Sequence, residues 1–330
     1  MNRMIYVVML ALLCACSSQT ETEKHQVARN KVVDVKDKIM EIDTDDDVLI
    51  GRLSSAYYSK DYLIVTDYDA WEGAIHLFDK KDFRYLTSTG KKGEGPYELT
   101  NAGGLMIDDF RRKLYMIDYS KYKVFSYDMD SIIAMPDTYR HQVKTRIGHE
   151  LIPDRPFYVS DTLCYGRIIQ PTSVSTFDMM VGKWNLLTGE IKVIGEKHPD
   201  VKRKRVLMDV SMEKKMMVEV YGEYDLMGIS DLDGRIQCYI YGPDWPTEGL
   251  KTFGGVMITS RHILAVYSGD VRTKGRADKI HVFDLKGNYL RTIGLGYNMT
   301  GCAYDNTHHR LFMIFDDEIQ FGYLDLDGIV

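Results

Sequence analysis

The sequence predicts an all-β protein, a six-bladed β-propeller whose ring is closed by an N-terminal strand. Three observations carry this expectation. A unit of strand, turn and second strand ending in Asp or Asn, behind an aromatic or aliphatic residue in five of the six cases, recurs six times. No segment after Asn30 shows the 3.6-residue periodicity of an amphipathic helix. Tyr is the commonest aromatic, at 23 residues, and Tyr favours strands.

The recurring strand ends are Leu77-Phe78-Asp79, Ser126-Tyr127-Asp128, Lys183-Trp184-Asn185, Ile229-Ser230-Asp231, Val282-Phe283-Asp284 and Tyr323-Leu324-Asp325. Successive Asp or Asn positions lie 49, 57, 46, 53 and 41 residues apart, a period that suits four short strands per unit. Behind four of these ends stand Leu187-Thr188-Gly189, Leu232-Asp233-Gly234, Leu285-Lys286-Gly287 and Leu326-Asp327-Gly328. Gly in that place suits a hairpin turn that needs a positive φ, so these are read as turns between third and fourth strands. Matching second strands are expected at Tyr62 to Thr66, Lys113 to Ile117, Thr162 to Tyr165, Lys215 to Tyr221, His262 to Tyr267 and Arg310 to Phe315. First strands are expected around Gly104 to Asp108, Asp209 to Met212, Gly255 to Thr259 and Gly301 to Asp305.

The N-terminus follows different rules. Arg3, an apolar run from Met4 to Leu13 and then Cys14-Ala15-Cys16 give the charged start, short apolar centre and small-residue exit of a secretory signal, too short to span a bilayer. Leu13-Cys14-Ala15-Cys16 also resembles a bacterial lipobox, which implies that residues 1–15 are removed and that Cys16 is lipidated. Acylation with two or more chains gives stable membrane anchoring. Residues 16–30 are polar and read as a flexible tether. The last unit stops at Val330 after its third strand, so its fourth strand is missing. An open sheet edge invites aggregation, and Lys31 to Ile42, with Val32, Val33, Val35, Ile39 and Ile42, is the expected donor that closes the ring. Residues 31–330 are then one domain.

Thr89-Gly90-Lys91-Lys92-Gly93-Glu94-Gly95-Pro96-Tyr97-Glu98, followed by Leu114-Tyr115-Met116-Ile117-Asp118, carries a family resemblance. It resembles the Gly-Glu-Gly-Pro loop of six-bladed propeller lipoproteins of anaerobic gut bacteria, which are TolB-like or NHL-like in fold. That resemblance implies an outer-membrane lipoprotein of the cell envelope, facing the periplasm or the outside. Blade three, about Phe157 to Glu196, departs most from the repeat because it lacks the Asp after its second strand.

In a propeller, the connections from second to third strand and from one blade to the next open on one face. The long segments fall in those two classes: Tyr68 to Ala74, Gly166 to Asp178 and Ser268 to Asp278 in the first, and Lys91 to Asn101, Arg140 to Pro156, Glu196 to Leu207 and Gly242 to Phe253 in the second. Long loops on one face of a rigid scaffold are where binding usually lives. They hold many cations, Lys91, Lys92, Arg140, Lys144, Arg146, Arg155, Lys202 to Arg205, Arg272, Lys274 and Arg276, with Trp71, Tyr97 and Trp245 among them. Trp71, Tyr97, Arg155, Arg203, Trp245 and Arg272 are therefore the candidate ligand-binding residues. Aromatic faces and guanidinium groups suit a polar, anionic or sugar-like ligand. The competing reading makes Lys202 to Arg205 a solvated, mobile loop.

Composition and motifs exclude several classes. The net charge of −6 argues against a nucleic-acid partner. Cys164, Cys238 and Cys302 are scattered through strand-like segments and read as free thiols rather than a disulfide framework. Gly93-Glu94-Gly95-Pro96 lacks the Lys-Ser or Lys-Thr of a phosphate loop and reads as a tight turn between blades. His308-His309 reads as a surface pair, and Asp43 to Asp47 lacks the Gly spacing of a calcium loop. No nucleophile-elbow motif is present. The expectation is a monomeric, lipid-anchored binding module without a cofactor or metal, recognising a glycan, peptide or protein partner through the long-loop face. The alternative is a metal-dependent lactonase, lyase or hydrolase with its site at the central channel, for which Asp108, Asp209 and Asp305 are the available carboxylates.

Overall fold

The computed structural model describes residues 22–44, 48–247, 251–270 and 277–330. Before the first blade come three short strands, β1 (Glu23–His25), β2 (Val32–Asp34) and β3 (Met40–Glu41). Blade 1 contains β4 (Ser54–Tyr58), β5 (Tyr62–Asp67), β6 (Ile75–Asp79) and β7 (Tyr85–Thr89). Blade 2 contains β8 (Ala102–Asp108), β9 (Lys113–Asp118), β10 (Lys123–Asp128) and β11 (Gln142–Arg146). Blade 3 contains β12 (Ile152–Ser160), β13 (Leu163–Pro171), β14 (Phe177–Trp184) and β15 (Ile191–Ile194). In blade 4 are β16 (Val206–Ser211), β17 (Met216–Tyr221), β18 (Leu226–Asp231) and β19 (Ile236–Tyr241). Blade 5 has β20 (Lys251–Ile258), β21 (His262–Asp270), β22 (Ala277–Asp284) and the 17-residue β23 (Tyr289–Asp305). Blade 6 takes the second half of β23, then β24 (Arg310–Phe315), β25 (Phe321–Asp325) and β3.

All six blades are antiparallel meanders, and the result is a six-bladed β-propeller. Blades 5 and 6 form one continuous eight-stranded sheet because β23 stays extended from the outer edge of one to the inner edge of the next. Among the described residues, six apolar clusters form the core, each centred between neighbouring blades. Leu63, Phe78, Phe312 and Phe321 meet between blades 1 and 6, and Met106, Tyr115, Cys164 and Trp184 between blades 2 and 3. Near-continuous apolar strands such as Leu114-Tyr115-Met116-Ile117 follow from this, because each blade is covered on both sides. The four hairpin glycines adopt φ of 78° at Gly189, 83° at Gly234, 81° at Gly287 and 75° at Gly328, the left-handed region that a side chain would strain.

Several expectations need correction. The closing strand is only Met40–Glu41, paired with Tyr323 and Gly322, rather than the whole of Lys31 to Ile42. Val32–Asp34 lies instead along blade 5, parallel to β23 with Val32 opposite Thr292. From Thr22 on, the expected tether of residues 16–30 is docked: Glu23–His25 runs parallel to β19 as a fifth strand of blade 4. The arm thus covers three successive outer edges, which removes unpaired backbone groups from each. A six-residue helix, α1 (Met129–Ala134), also interrupts the all-strand pattern; Asp128 caps it by accepting a hydrogen bond from the Ser131 N–H. Too short to show a helical period, it rests on Met129 and Ile132. Arg140 to Pro156 is not one long interblade loop, since it contains β11 and the start of β12. Gly166 to Asp178 shrinks likewise to a loop of residues 172–176.

Candidate functional site

The strand order puts the second-to-third connections and the interblade connections on one face, the long-loop face. Aspartates at the ends of second strands build its turns. Asp67 accepts hydrogen bonds from the N–H groups of Gly51, Asp69 and Ala70. Asp118 does the same for Thr100, Asn101, Ser120 and Lys121. Both carboxylates therefore tie an interblade connection to a second-to-third loop. The Gly-Glu-Gly-Pro segment is a turn between blades 1 and 2, as expected. Glu98 folds back to accept from the Gly95 N–H, at 2.8 Å, while the Lys121 ammonium donates to the carbonyls of Gly95 and Glu98 at 2.6 Å each. A Cβ at Gly93 would meet the Glu98 carboxylate at 2.0 Å, so a side chain there would displace that carboxylate from the Gly95 N–H.

The candidate ligand residues are spread around this face. Trp71 is 71% exposed, with the Lys92 ammonium 5.1 Å over its ring. Tyr97 stands beside Arg140 and His141 on the flank of blade 2. Arg155, exposed at φ 44°, lies on the first strand of blade 3. Trp245 is packed rather than free, against His198, Tyr224 and Tyr241 at 5.3–5.6 Å between ring centres. Arg203 is 70% exposed, with Glu223 4.0 Å away. Cys16 and Arg272 lie outside the described residues.

Of these, Arg203 lines a cleft of about 220 Å³ at the long-loop end of blade 3. Met179, Met180, Val181 and Ile194 form its apolar wall, and Lys197, Lys202, Arg203 and Lys204 its cationic side, with Asp178 and Glu196 as the acids. Lys204 contradicts the reading of residues 202–205 as solvated: its side chain is 6% exposed and its ammonium pairs with buried Glu219 at 2.6 Å. Arg205 lies over Phe177, 4.1 Å from the ring centre. Sequence reasoning missed Lys197, although it stands in the Glu196 to Leu207 connection already singled out, and Glu219, which lies on the second strand of blade 4 and carries no local signal.

The three carboxylates of the alternative reading serve separate tasks. Asp108 pairs with Arg111 at 2.9 Å, and Asp305 holds Lys80 at 2.8 Å and His308 at 2.7 Å. Asp209 accepts from the Ile258 N–H at 2.7 Å, binding blade 4 to blade 5, and burial pushes its carboxyl up to about 6. No group of three or more His, Cys, Asp or Glu side chains with metal-binding geometry occurs among the described residues. His308 and His309 bond instead to Asp305 and Asp327. Cys164, Cys238 and Cys302 are free thiols.

Residues 19–141 match the model of a family described as DUF5128, a 6-bladed beta-propeller. No curated protein matches the chain. Among solved structures, a member of the DUF4221 family from Bacteroides vulgatus is 10% identical, covers 87% of this chain and 95% of its own, and superposes with a TM-score of 0.56. A protein described as exported, from Bacteroides fragilis, is 11% identical, with coverages of 89% and 88% and a TM-score of 0.55. A gluconolactonase from Xanthomonas campestris is 10% identical, with coverages of 82% and 85% and a TM-score of 0.54. At these identities the likeness is one of fold.

Proposed function

We propose that this chain is an exported lipoprotein, anchored through Cys16 in the cell envelope, and that its long-loop face binds an anionic glycan or peptide segment. The observation that carries the reading is the cleft of blade 3, where four cations face two acids beside an apolar wall. Such a site suits an extended ligand with spaced carboxylates, its neutral backbone lying on Met179 and Ile194 and its charges meeting Lys197 and Arg203. The lipobox-like start supports export, as does the Bacteroides fragilis protein described as exported. Lys204 is already neutralised by Glu219, so the exposed guanidinium of Arg203 is the first group a ligand meets.

The test is calorimetric titration with oligogalacturonate and with an oligoglutamate peptide. Binding of one of them is expected to weaken between 50 and 300 mM salt, because exposed charges are screened over roughly 10 Å at 0.1 M. Arg203→Glu combined with Lys197→Glu should lower the affinity at least about tenfold, or ~1.4 kcal/mol. The melting temperature should stay unchanged, since both side chains lie at the surface. Absence of binding to either probe at low salt, or binding indifferent to the charge reversal, would remove the anionic-ligand reading.

A further inference from the structure

The path of the N-terminal arm fixes where an anchor joins the propeller. Strand β1 is parallel to β19, with Glu23, Lys24 and His25 opposite Tyr239, Ile240 and Tyr241. β19 starts at the third-to-fourth turn of blade 4 and ends at the interblade connection, so it climbs from the short-loop face to the long-loop face. The chain therefore enters β1 from the short-loop side. A second contact shows the same: the Lys24 ammonium donates to the Lys286 carbonyl at 2.6 Å and to Asn288 Oδ1 at 2.7 Å, and both belong to the third-to-fourth turn of blade 5. Beyond β1 the arm is pinned by Arg29, whose buried side chain meets Asp225 at 2.7 Å, so the entry point cannot slide along the blade.

We infer that the propeller stands with its short-loop face toward the bilayer and its long-loop face toward the aqueous compartment, which makes the partner of the cleft water-borne rather than a lipid headgroup. The inference rests on the anchor reading above. Six residue steps separate Cys16 from Thr22, and a fully extended chain covers at most ~3.6 Å per step, or about 22 Å. By the register of β1, Thr22 lies level with Cys238, about 7 Å from the short-loop end of β19 and about 10 Å from its long-loop end. To lay the long-loop face on the membrane, the linker would have to reverse the direction in which it enters β1 and climb about 10 Å along the outer edge of the blade, nearly half of its reach. With the short-loop face down the linker continues in the direction in which the chain enters β1, and the larger number of conformations left to it favours that arrangement.

The experiment uses the lipidated protein in vesicles of phosphatidylethanolamine and phosphatidylglycerol carrying a rhodamine-headgroup acceptor lipid. Donor dye is placed on Val174→Cys, in the long-loop connection of blade 3, or on Leu187→Cys, in the short-loop turn of the same blade; both side chains are exposed. The three native thiols discriminate against labelling, since burial pushes the pKa of Cys238 up and those of Cys164 and Cys302 up to about 12. Energy transfer is expected to be clearly higher from position 187 than from 174. Insertion of twelve Gly and Ser residues after Ser18 should level the two. Equal or reversed transfer in the vesicle-bound protein overturns the orientation, and an asymmetry that survives the insertion overturns the short linker as its cause. Failure of the protein to float with vesicles overturns the anchor reading and this inference with it.

Discussion

Arg29→Ala is expected to destabilise the propeller by about 3–5 kcal/mol, the range for removing one partner of a buried ion pair. In the folded chain the two side chains are 4% and 0% exposed, and the guanidinium donates to Asp225 Oδ1 at 2.7 Å. It also lies 5.6–5.7 Å from the ring centres of Phe253, Tyr267 and Phe283. Desolvated contacts of that kind contribute up to ~2 kcal/mol, within rather than on top of the pair's cost. What remains after the substitution is a carboxylate with, among the described residues, the Asp244 N–H and the Tyr267 hydroxyl at 3.3–3.4 Å. The loss has a ceiling, because the arm from Glu23 can peel away and admit water to Asp225. At roughly 2 °C per kcal/mol for a domain of this size, the melting temperature should fall by about 6–10 °C.

The same pair predicts the pH dependence. Burial raises the Asp225 carboxyl above its ordinary value, and Arg29 opposes that rise. An acid whose folded pKa is raised holds its proton more tightly when folded, so its contribution is full below the unfolded pKa near 3.9 and is lost as pH rises through the folded value. Without Arg29 the folded value climbs further, and the deficit of Arg29→Ala relative to the wild type should therefore shrink between pH 7 and pH 5. Urea unfolding of the two proteins at both pH values measures this. Arg29→Met combined with Asp225→Asn, which removes both charges and keeps their shapes, should recover more than half of the loss. A deficit below ~1 kcal/mol, or one equal at both pH values, or a double variant no better than Arg29→Ala, would refute the buried-pair argument.

Two more outcomes follow from the fold. A chain beginning at Thr22 should melt with the full mature protein, whereas one beginning at Lys31 loses β1 and Arg29 and should melt well below it by calorimetry; equal melting of the two would show that the arm is not integral. The imidazole of His281, buried and bonded to Thr292, is driven down to about 2 by burial and by Arg29 and Lys279. A base depressed in the folded state contributes stability above its unfolded pKa near 6.5 and loses it as pH falls, by up to ~2 kcal/mol at pH 5; His281→Gln should flatten that limb of the stability profile, and an unchanged slope would assign it elsewhere.

The strand ends were legible because each blade repeats the same local chemistry. All six second strands start within a residue of where the period put them, though that of blade 3 runs on to Pro171. Five of the six third strands end on the expected Asp, while that of blade 3 stops at Trp184, one residue before Asn185. Buried polar pairing was less legible, although one case left a trace. Ile75-His76-Leu77-Phe78-Asp79 with Tyr85 and Ser88, and Ile280-His281-Val282-Phe283-Asp284 with Tyr289 and Thr292, are closely similar motifs in blades 1 and 5, differing by Leu for Val, Ser for Thr and one residue of spacing. Each His Nδ1 meets the hydroxyl of the Ser or Thr at 2.8–2.9 Å, and that hydroxyl meets the Tyr at 2.6–2.8 Å. The paired motifs mark a hydrogen-bonded lock between third and fourth strands, visible to a search for repeated polar residues rather than repeated apolar ones.

Arg29 left no such trace, because its partner is 196 residues away and its own segment is polar, with the composition of a free tether. A parallel strand laid on a completed blade needs no apolar alternation: in β1 and β2 only the middle residue is partly buried, and the ladder satisfies backbone groups whatever the side chains are. Composition therefore cannot separate a docked arm from a linker. The one local clue is a guanidinium between Ala28 and Asn30, and it acquires meaning only when Asp225, Phe253, Tyr267 and Phe283 are brought around it by blades 4 and 5. The candidate site has the same character. Arg203 could be named from its loop, but its cleft exists only because β14, β15 and the connection to blade 4 bring Met179, Ile194 and Lys197 beside it, so the sequence places the face and the fold alone selects the pocket.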